Sequence, residues 1–166
     1  MSCTKNKQRS DYLYYSDPIS EINNGLITKA NHSLTQVNHL DDLVGLKLIA
    51  IRKWSTQTEL ESRGIAHTAV DTIPQALNML IMRDFDAIYS GVESISYYAK
   101  QANLTSEIDV VYFPGLPAKK LHMCLGKKTP NASTLLQQFN RGLAAIKVNG
   151  QFDAIANKYA LAGRTL

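Results

Sequence analysis

The residues of this chain best suited to chemistry form one run, Arg52-Lys53-Trp54-Ser55-Thr56-Gln57. Two cations and an indole precede two hydroxyls and an amide. The run lies between an apolar stretch ending at Ile51 and a polar stretch that reads as a helix. At a helix start the first backbone N–H groups have no intrahelical acceptor, and they and the helix dipole favour an anion. Arg52 and Lys53 add positive charge. The run also has a plainer use. Ser55 or Thr56 accepts a backbone N–H as a helix cap, and Arg52 and Lys53 face water. The two uses are compatible. A second group, Ser90-Gly91 with Glu93, follows another apolar strand. Glu93, in the first turn of the helix it opens, complements that helix's dipole. Tyr15 offers an aromatic face with a polar tip, for stacking on a ligand or for packing between strands.

Other chemistries have little support. There is no G-x-S-x-G elbow, no phosphate loop and no G-x-G-x-x-G. Glu93 and His122 are the sole candidates for acid–base work, so the chain reads as a non-enzyme without catalytic residues. His32, His39, His67 and His122 show no i, i+4 pairing, and Cys3 and Cys124 form no C-x2-C. No metal and no cofactor is expected. Cys124 reads as a small core residue within an apolar strand, or, in an oxidising compartment, as the partner of Cys3. The formal charge of +4 is scattered along the chain, unlike the basic face of a nucleic-acid binder. With 166 residues, 45% apolar and 19% charged, the chain is expected to be one globular domain, or one lobe with an extension. No stretch approaches the roughly 18–20 apolar residues of a membrane helix, and no signal peptide is visible in residues 1–10.

The elements that must position these groups alternate along the chain. Aromatic residues 11–20 around Tyr12, Tyr14 and Tyr15 are extended, with Pro18 excluding helix at Asp17. A strand at Gly25-Leu26-Ile27-Thr28 follows. A short helix at 39–44 ends at Gly45. The apolar run 46–51 suits a strand buried on both faces of a parallel sheet. A helix runs from Ser55 to about Arg63, then a strand over 65–70. Pro74 opens a helix carrying Ile73, Leu77, Leu80 and Ile81 on one face. A strand at 85–89 leads into a helix at 91–100. Strands at 110–113 and 121–126 precede an amphipathic helix at 131–148, broken at Asn149-Gly150. A last helix carries Phe152, Ile155, Ala156 and Tyr159. This alternation predicts a three-layer α/β sandwich with a mainly parallel sheet.

The order of these weak motifs over 11–160 resembles bacterial solute-binding family 3, the periplasmic binding proteins of amino-acid ABC transporters. Tyr12 to Pro18 is similar to the first crossover strand. Asp42-Leu43-x-Gly45-x-Lys47 resembles the start of the second lobe. Arg83-x-x-Asp86-Ala87 and Asn140-x-x-Leu143, Asn149-Gly150 and Ile155-x-x-Lys158-Tyr159 resemble later elements. The resemblance implies a type II periplasmic-binding-protein lobe, a periplasmic location, a permease partner and a small solute held in an interlobe cleft. It implies residues 1–10 as a disordered edge and 11–166 as a single domain. Within that domain, 11–20 and 121–127 are crossover strands, 21–120 the second lobe and 131–160 the closing helices. Most of the first lobe has no counterpart. The closing helices would then meet a second copy or a partner supplying that lobe, and the chain would be a binder, an assembly module that binds nothing or, third, an enzyme on the same fold. In the family the loop at 54–56 is Gly-Ser/Thr-Thr and holds the ligand carboxylate; Trp54 replaces its glycine. Where amino-acid binders carry an Asp for the ligand ammonium, this chain has Ser90-Gly91. The resemblance therefore implies an anionic solute without an ammonium, unless Glu93 compensates.

Overall fold

The computed structural model describes residues 2–5, 7–32, 34, 37–114 and 116–158. Tyr159, assigned above to the last helix, lies outside them. The chain divides into two compact units rather than the single domain expected: 1–22 with 119–166, and 23–118.

In the first unit β1 (Ser2–Thr4) and β2 (Leu13–Ile22) flank β8 (Lys119–Gly126) in an antiparallel sheet, order β1-β8-β2. A short helix, α1 (Lys7–Ser10), joins β1 to β2. The expectation of a disordered segment at 1–10 is thus corrected: Ser2, Cys3 and Thr4 pair with Met123, His122 and Leu121. Cys3 and Cys124 are bonded as a disulfide, which decides between the two roles left open for Cys124. Pro18 has no N–H to give to a ladder, and the β2–β8 register shifts on either side of it. Ser16 fills the gap. Its hydroxyl donates to the Asp17 carbonyl and accepts from the Met123 N–H, and its carbonyl meets His122 Nδ1 at 2.7 Å. The long helix α5 (Ala132–Val148) packs on β2 and is followed by α6 (Gln151–Lys158). Leu143 is buried, while Leu135, Val148 and Ile155 stay exposed.

The second unit is a three-layer α/β sandwich. Its sheet has the order β5-β4-β6-β3-β7, from β3 (Asn24–Lys29), β4 (Leu48–Ile51), β5 (His67–Val70), β6 (Ala87–Gly91) and β7 (Ile108–Tyr112). β4 pairs in parallel with β5 and β6, but β3 is antiparallel to both β6 and β7. The sheet is therefore mixed, not mainly parallel. Parallel neighbours need helical crossovers, and α2 (Ser55–Ser62) and α3 (Ile73–Met82) supply them. The Thr72 hydroxyl caps α3 by accepting the Gln75 N–H, and Pro74 sits in its first turn.

Alternation along the strands sends two apolar sets to opposite faces. Ile27, Ile49, Ile51 and Ile88 meet α3 and α4 (Val92–Gln101). Leu26, Leu48, Ala50, Ala87 and Tyr89 meet Leu60 of α2 and Leu40 and Leu43 of a 3-10 turn. Asp86, at the foot of β6, accepts the Lys47 N–H at 2.7 Å, a structural role that fixes the start of β4. Gly45 and Gly64, at φ +89 and +66, end the two helical segments read from sequence in conformations that favour glycine.

The disulfide closes a loop with a sequence separation of 121 residues. Chain-entropy arguments put its contribution at about 4–5 kcal/mol. Urea unfolding with and without a thiol reductant is expected to show a loss of that order, and Cys124→Ala the same loss without reductant. Equal midpoints in both conditions would rule out a stabilising bridge.

Candidate functional site

The parallel pairing of β4 with β6 aligns Leu48 with Ala87 and Ile49 with Ile88. Both strands therefore run out at the same edge of the sheet, and the loop at 52–54 and Ser90-Gly91 emerge there together. This is the edge at which open α/β sheets take ligands.

After β4 the chain turns sharply. Lys53 has φ +64, an uncommon conformation for a residue with a side chain. Gln57 holds this turn: its Oε1 accepts the Lys53 N–H at 2.6 Å. Trp54 is the N-cap of α2 by backbone geometry but makes no side-chain cap bond. Its indole packs against the apolar cluster that contains Val92 and Ile95. Ser55 and Thr56 are therefore inside the helix, and the expectation that one of them caps it is corrected. The helical ladder begins with the Thr58 N–H bonding the Trp54 carbonyl at 3.2 Å. The N–H groups of Ser55, Thr56 and Gln57 precede it and point along the axis.

Arg52, expected to add charge for a ligand, is engaged elsewhere. Its Nε donates to Asp71 Oδ1 at 2.7 Å and a terminal nitrogen to the Ala69 carbonyl. Lys53 is exposed and leaves a positive charge at the loop.

Four buried hydroxyls, of Tyr15, Thr28, Thr56 and Ser90, find no partner among the described residues, and two of them belong to these segments. Thr56 is 2% exposed and Ser90 0% exposed, and neither Thr56 Oγ1 nor Ser90 Oγ finds a hydrogen-bond partner among the described residues. A buried polar group without a partner costs free energy. Gly91, also buried, caps α4 through its backbone and pairs with Asn24 of β3. Gly25 faces Ser90 across the ladder, and a Cβ there would lie 2.8 Å from the Val111 carbonyl oxygen. The strands around Ser90 are thus packed to contact.

Glu93, considered as a partner for a ligand ammonium, is committed to protein. Its Oε2 accepts the Asn23 N–H at 3.0 Å and its Oε1 the Asn23 side-chain amide at 3.1 Å. A second carboxylate behaves alike. Glu59 Oε2 accepts from Tyr89 Oη at 2.9 Å and from Asn24 Nδ2 at 3.2 Å. Burial, and then the negative charge of Glu59, push the Tyr89 phenol well above its ordinary value.

Tyr15 lies in the other unit, on β2. It is half-buried, edge-on to His122 at 5.8 Å, with Lys5 Nζ 5.7 Å from its ring centre. Its hydroxyl has no partner among the described residues.

No family model and no curated protein sequence matches the chain. Solved structures do. It superposes on a histidine kinase sensor domain similar to periplasmic binding proteins with a TM-score of 0.81 at 20% identity, covering 95% of this chain and 67% of that one. The P235GK mutant of ArgBP from T. maritima gives 0.79 at 18% identity, covering 95% and 66%. The GluR0 ligand-binding core from Nostoc punctiforme, in complex with L-glutamate, gives 0.76 at 20%, covering 94% and 69%. The chain has the fold of the periplasmic binding proteins. It spans about two thirds of the length of those binding-protein chains.

Within this binding-protein fold, Asn23, Asn24, Glu59 and Tyr89 are the residues that sequence reasoning missed. A signal for Glu59 existed: it stands three residues after Thr56, on the same side of α2.

Because Tyr89 is held neutral in the fold and ionises near 10 when unfolded, its contribution is complete below pH 10. It falls as pH rises further, since the unfolded chain then releases a proton that the folded one keeps. Among the eight tyrosines, one is expected to resist spectrophotometric titration until the protein unfolds. Tyr89→Phe removes that holdout, flattens the alkaline loss and costs about 1–2 kcal/mol at neutral pH. Eight tyrosines titrating together in the folded protein would contradict this.

Proposed function

We propose that the chain is the solute-binding component of an ABC-type transport system, and that it captures a small anionic solute, a carboxylate, at the first turn of α2. One observation carries the reading. Thr56, in the first turn of α2, and Ser90, near the end of β6, bury hydroxyls that find no partner among the described residues. Ligand oxygens that accept from them convert two penalties into two bonds. The early N–H groups of α2 and the exposed Lys53 supply further positive potential. Amino-acid recognition also needs a negative group for the ammonium, and the carboxylates beside these loops, Glu59, Glu93 and Asp71, are bound to Asn24, Asn23 and Arg52. The preferred solute is therefore an acid without an α-ammonium, in contrast to the L-glutamate of the GluR0 core.

The disulfide supports an oxidising, periplasmic setting, which suits delivery of solute to a membrane permease. A second reading, an assembly module that binds no solute, draws on one observation: Leu135, Val148 and Ile155 are exposed on α5 and α6. A second copy docking there would cover them.

A thermal-shift panel of acetate, succinate, phosphate, L-glutamate and L-arginine, with mass measured on the same sample, separates the readings. A bound ligand at 100 times its dissociation constant stabilises by about 2.7 kcal/mol. Ser90→Ala and Thr56→Val are expected to leave the unliganded protein as stable or about 1 kcal/mol more stable, and to abolish the carboxylate shift. A shift that survives both substitutions sinks the proposed site. A dimer that responds to nothing favours assembly.

A further inference from the structure

Two of the carboxylates that leave the site without a cation partner, Glu59 and Glu93, share a second property. Asn23 and Asn24, which they hold, are consecutive, and Asn23 is the residue at which the chain passes from the first unit into the second. Glu93 sits in the first turn of α4, directly after Ser90-Gly91, and binds Asn23 through both oxygens, at 3.0 and 3.1 Å. The Asn23 carbonyl in turn accepts the Val92 N–H at 2.8 Å. Glu59 sits on α2, one turn after Thr56, and binds Asn24 at 3.2 Å and Tyr89, the neighbour of Ser90, at 2.9 Å. Each loop of the candidate site is thus followed by a helix whose carboxylate grips the chain where it crosses between units. Charge-assisted hydrogen bonds of this kind are the stronger ones in a protein, and the two that Asn23 donates to Glu93 also fix the orientation of Asn23.

We propose that Glu59 and Glu93 are positioning residues that couple the Thr56–Ser90 site to the crossing point at Asn23-Asn24. The proposal rests on the site reading above. A displacement of α4 on ligand binding pulls on Asn23 through Glu93, and a displacement of α2 pulls on Asn24 through Glu59. Conversely, a change at Asn23 reaches the site through Val92, whose side chain belongs to the cluster against which Trp54 packs. Trp54 is the one tryptophan of the chain, so its emission reports the loop without a label.

The test is a charge exchange read in the unliganded full chain. Asn23→Asp keeps the backbone N–H bond but sets two carboxylates against each other where the side-chain amide donated. Combining it with Glu93→Gln restores a donor–acceptor pair in the opposite sense. Coupling predicts that Asn23→Asp red-shifts Trp54 emission and eases its quenching by acrylamide, and that the double substitution returns both to the wild-type values. A folded Asn23→Asp protein with unchanged Trp54 emission, or a double variant that fails to restore it, overturns the proposal. Should Asn23→Asp not fold, Asn23→Ala removes the side-chain donor alone, and unchanged Trp54 emission in it overturns the proposal equally. None of these readings needs a ligand. A protein that binds no carboxylate therefore defeats the solute reading while leaving the coupling decided by Trp54.

Discussion

Parallel pairing between β4 and β6 is the constraint on which the second unit depends. Two parallel strands end on the same side of a sheet, and each must be followed by a helix that folds back over a face. The pairing of Ile49 with Ile88 therefore brings Lys53-Trp54 and Ser90-Gly91 to one edge, although they are distant in sequence. It also places α2 over one face and α4 over the other. The polar groups at that edge therefore come from both faces of the sheet. Their geometry is set by the apolar clusters beneath, not by the loop residues themselves.

That division of labour explains which residues were legible. Helix α3 could be read directly, because Ile73, Leu77 and Leu80 repeat at helical spacing and Thr72 and Pro74 mark its start. Strand β4 could be read because four consecutive apolar residues, Leu48 to Ile51, are all buried. Strand direction could not. β3 is antiparallel to β6 because of where the chain enters the unit, and no residue of Asn24–Lys29 encodes that. β1 was invisible for a simpler reason: three residues are too few to show a period, and their partners stand at 121–123.

In the run 52–57 the local roles of the side chains differ from those that spacing suggests. A hydroxyl one position past the N-cap cannot be told from a capping hydroxyl by spacing alone. The cap position belongs to Trp54, and Gln57 holds the loop from inside the helix. Arg52 looked like an anion ligand because its partner, Asp71, lies on a different strand end. Glu59 looked like one more solvated helix charge, since nothing in its neighbourhood in sequence announces that Tyr89 and Asn24 donate to it. Polar groups that matter through long-range partners are the ones a linear reading places worst.

The second unit is inserted into the first: the sequence of the first unit breaks at Ile22 and resumes at Lys119. On a ribosome, or emerging through a membrane, β1 and β2 appear early and wait for β8, whereas the whole inserted unit can form contacts among its own residues. Pairings between distant segments are the slow ones in folding, so the inserted unit is the part that can close first as the chain lengthens. The Cys3 thiol then stays open to chemistry until Cys124 arrives, and the oxidation that joins them locks β1 onto β8.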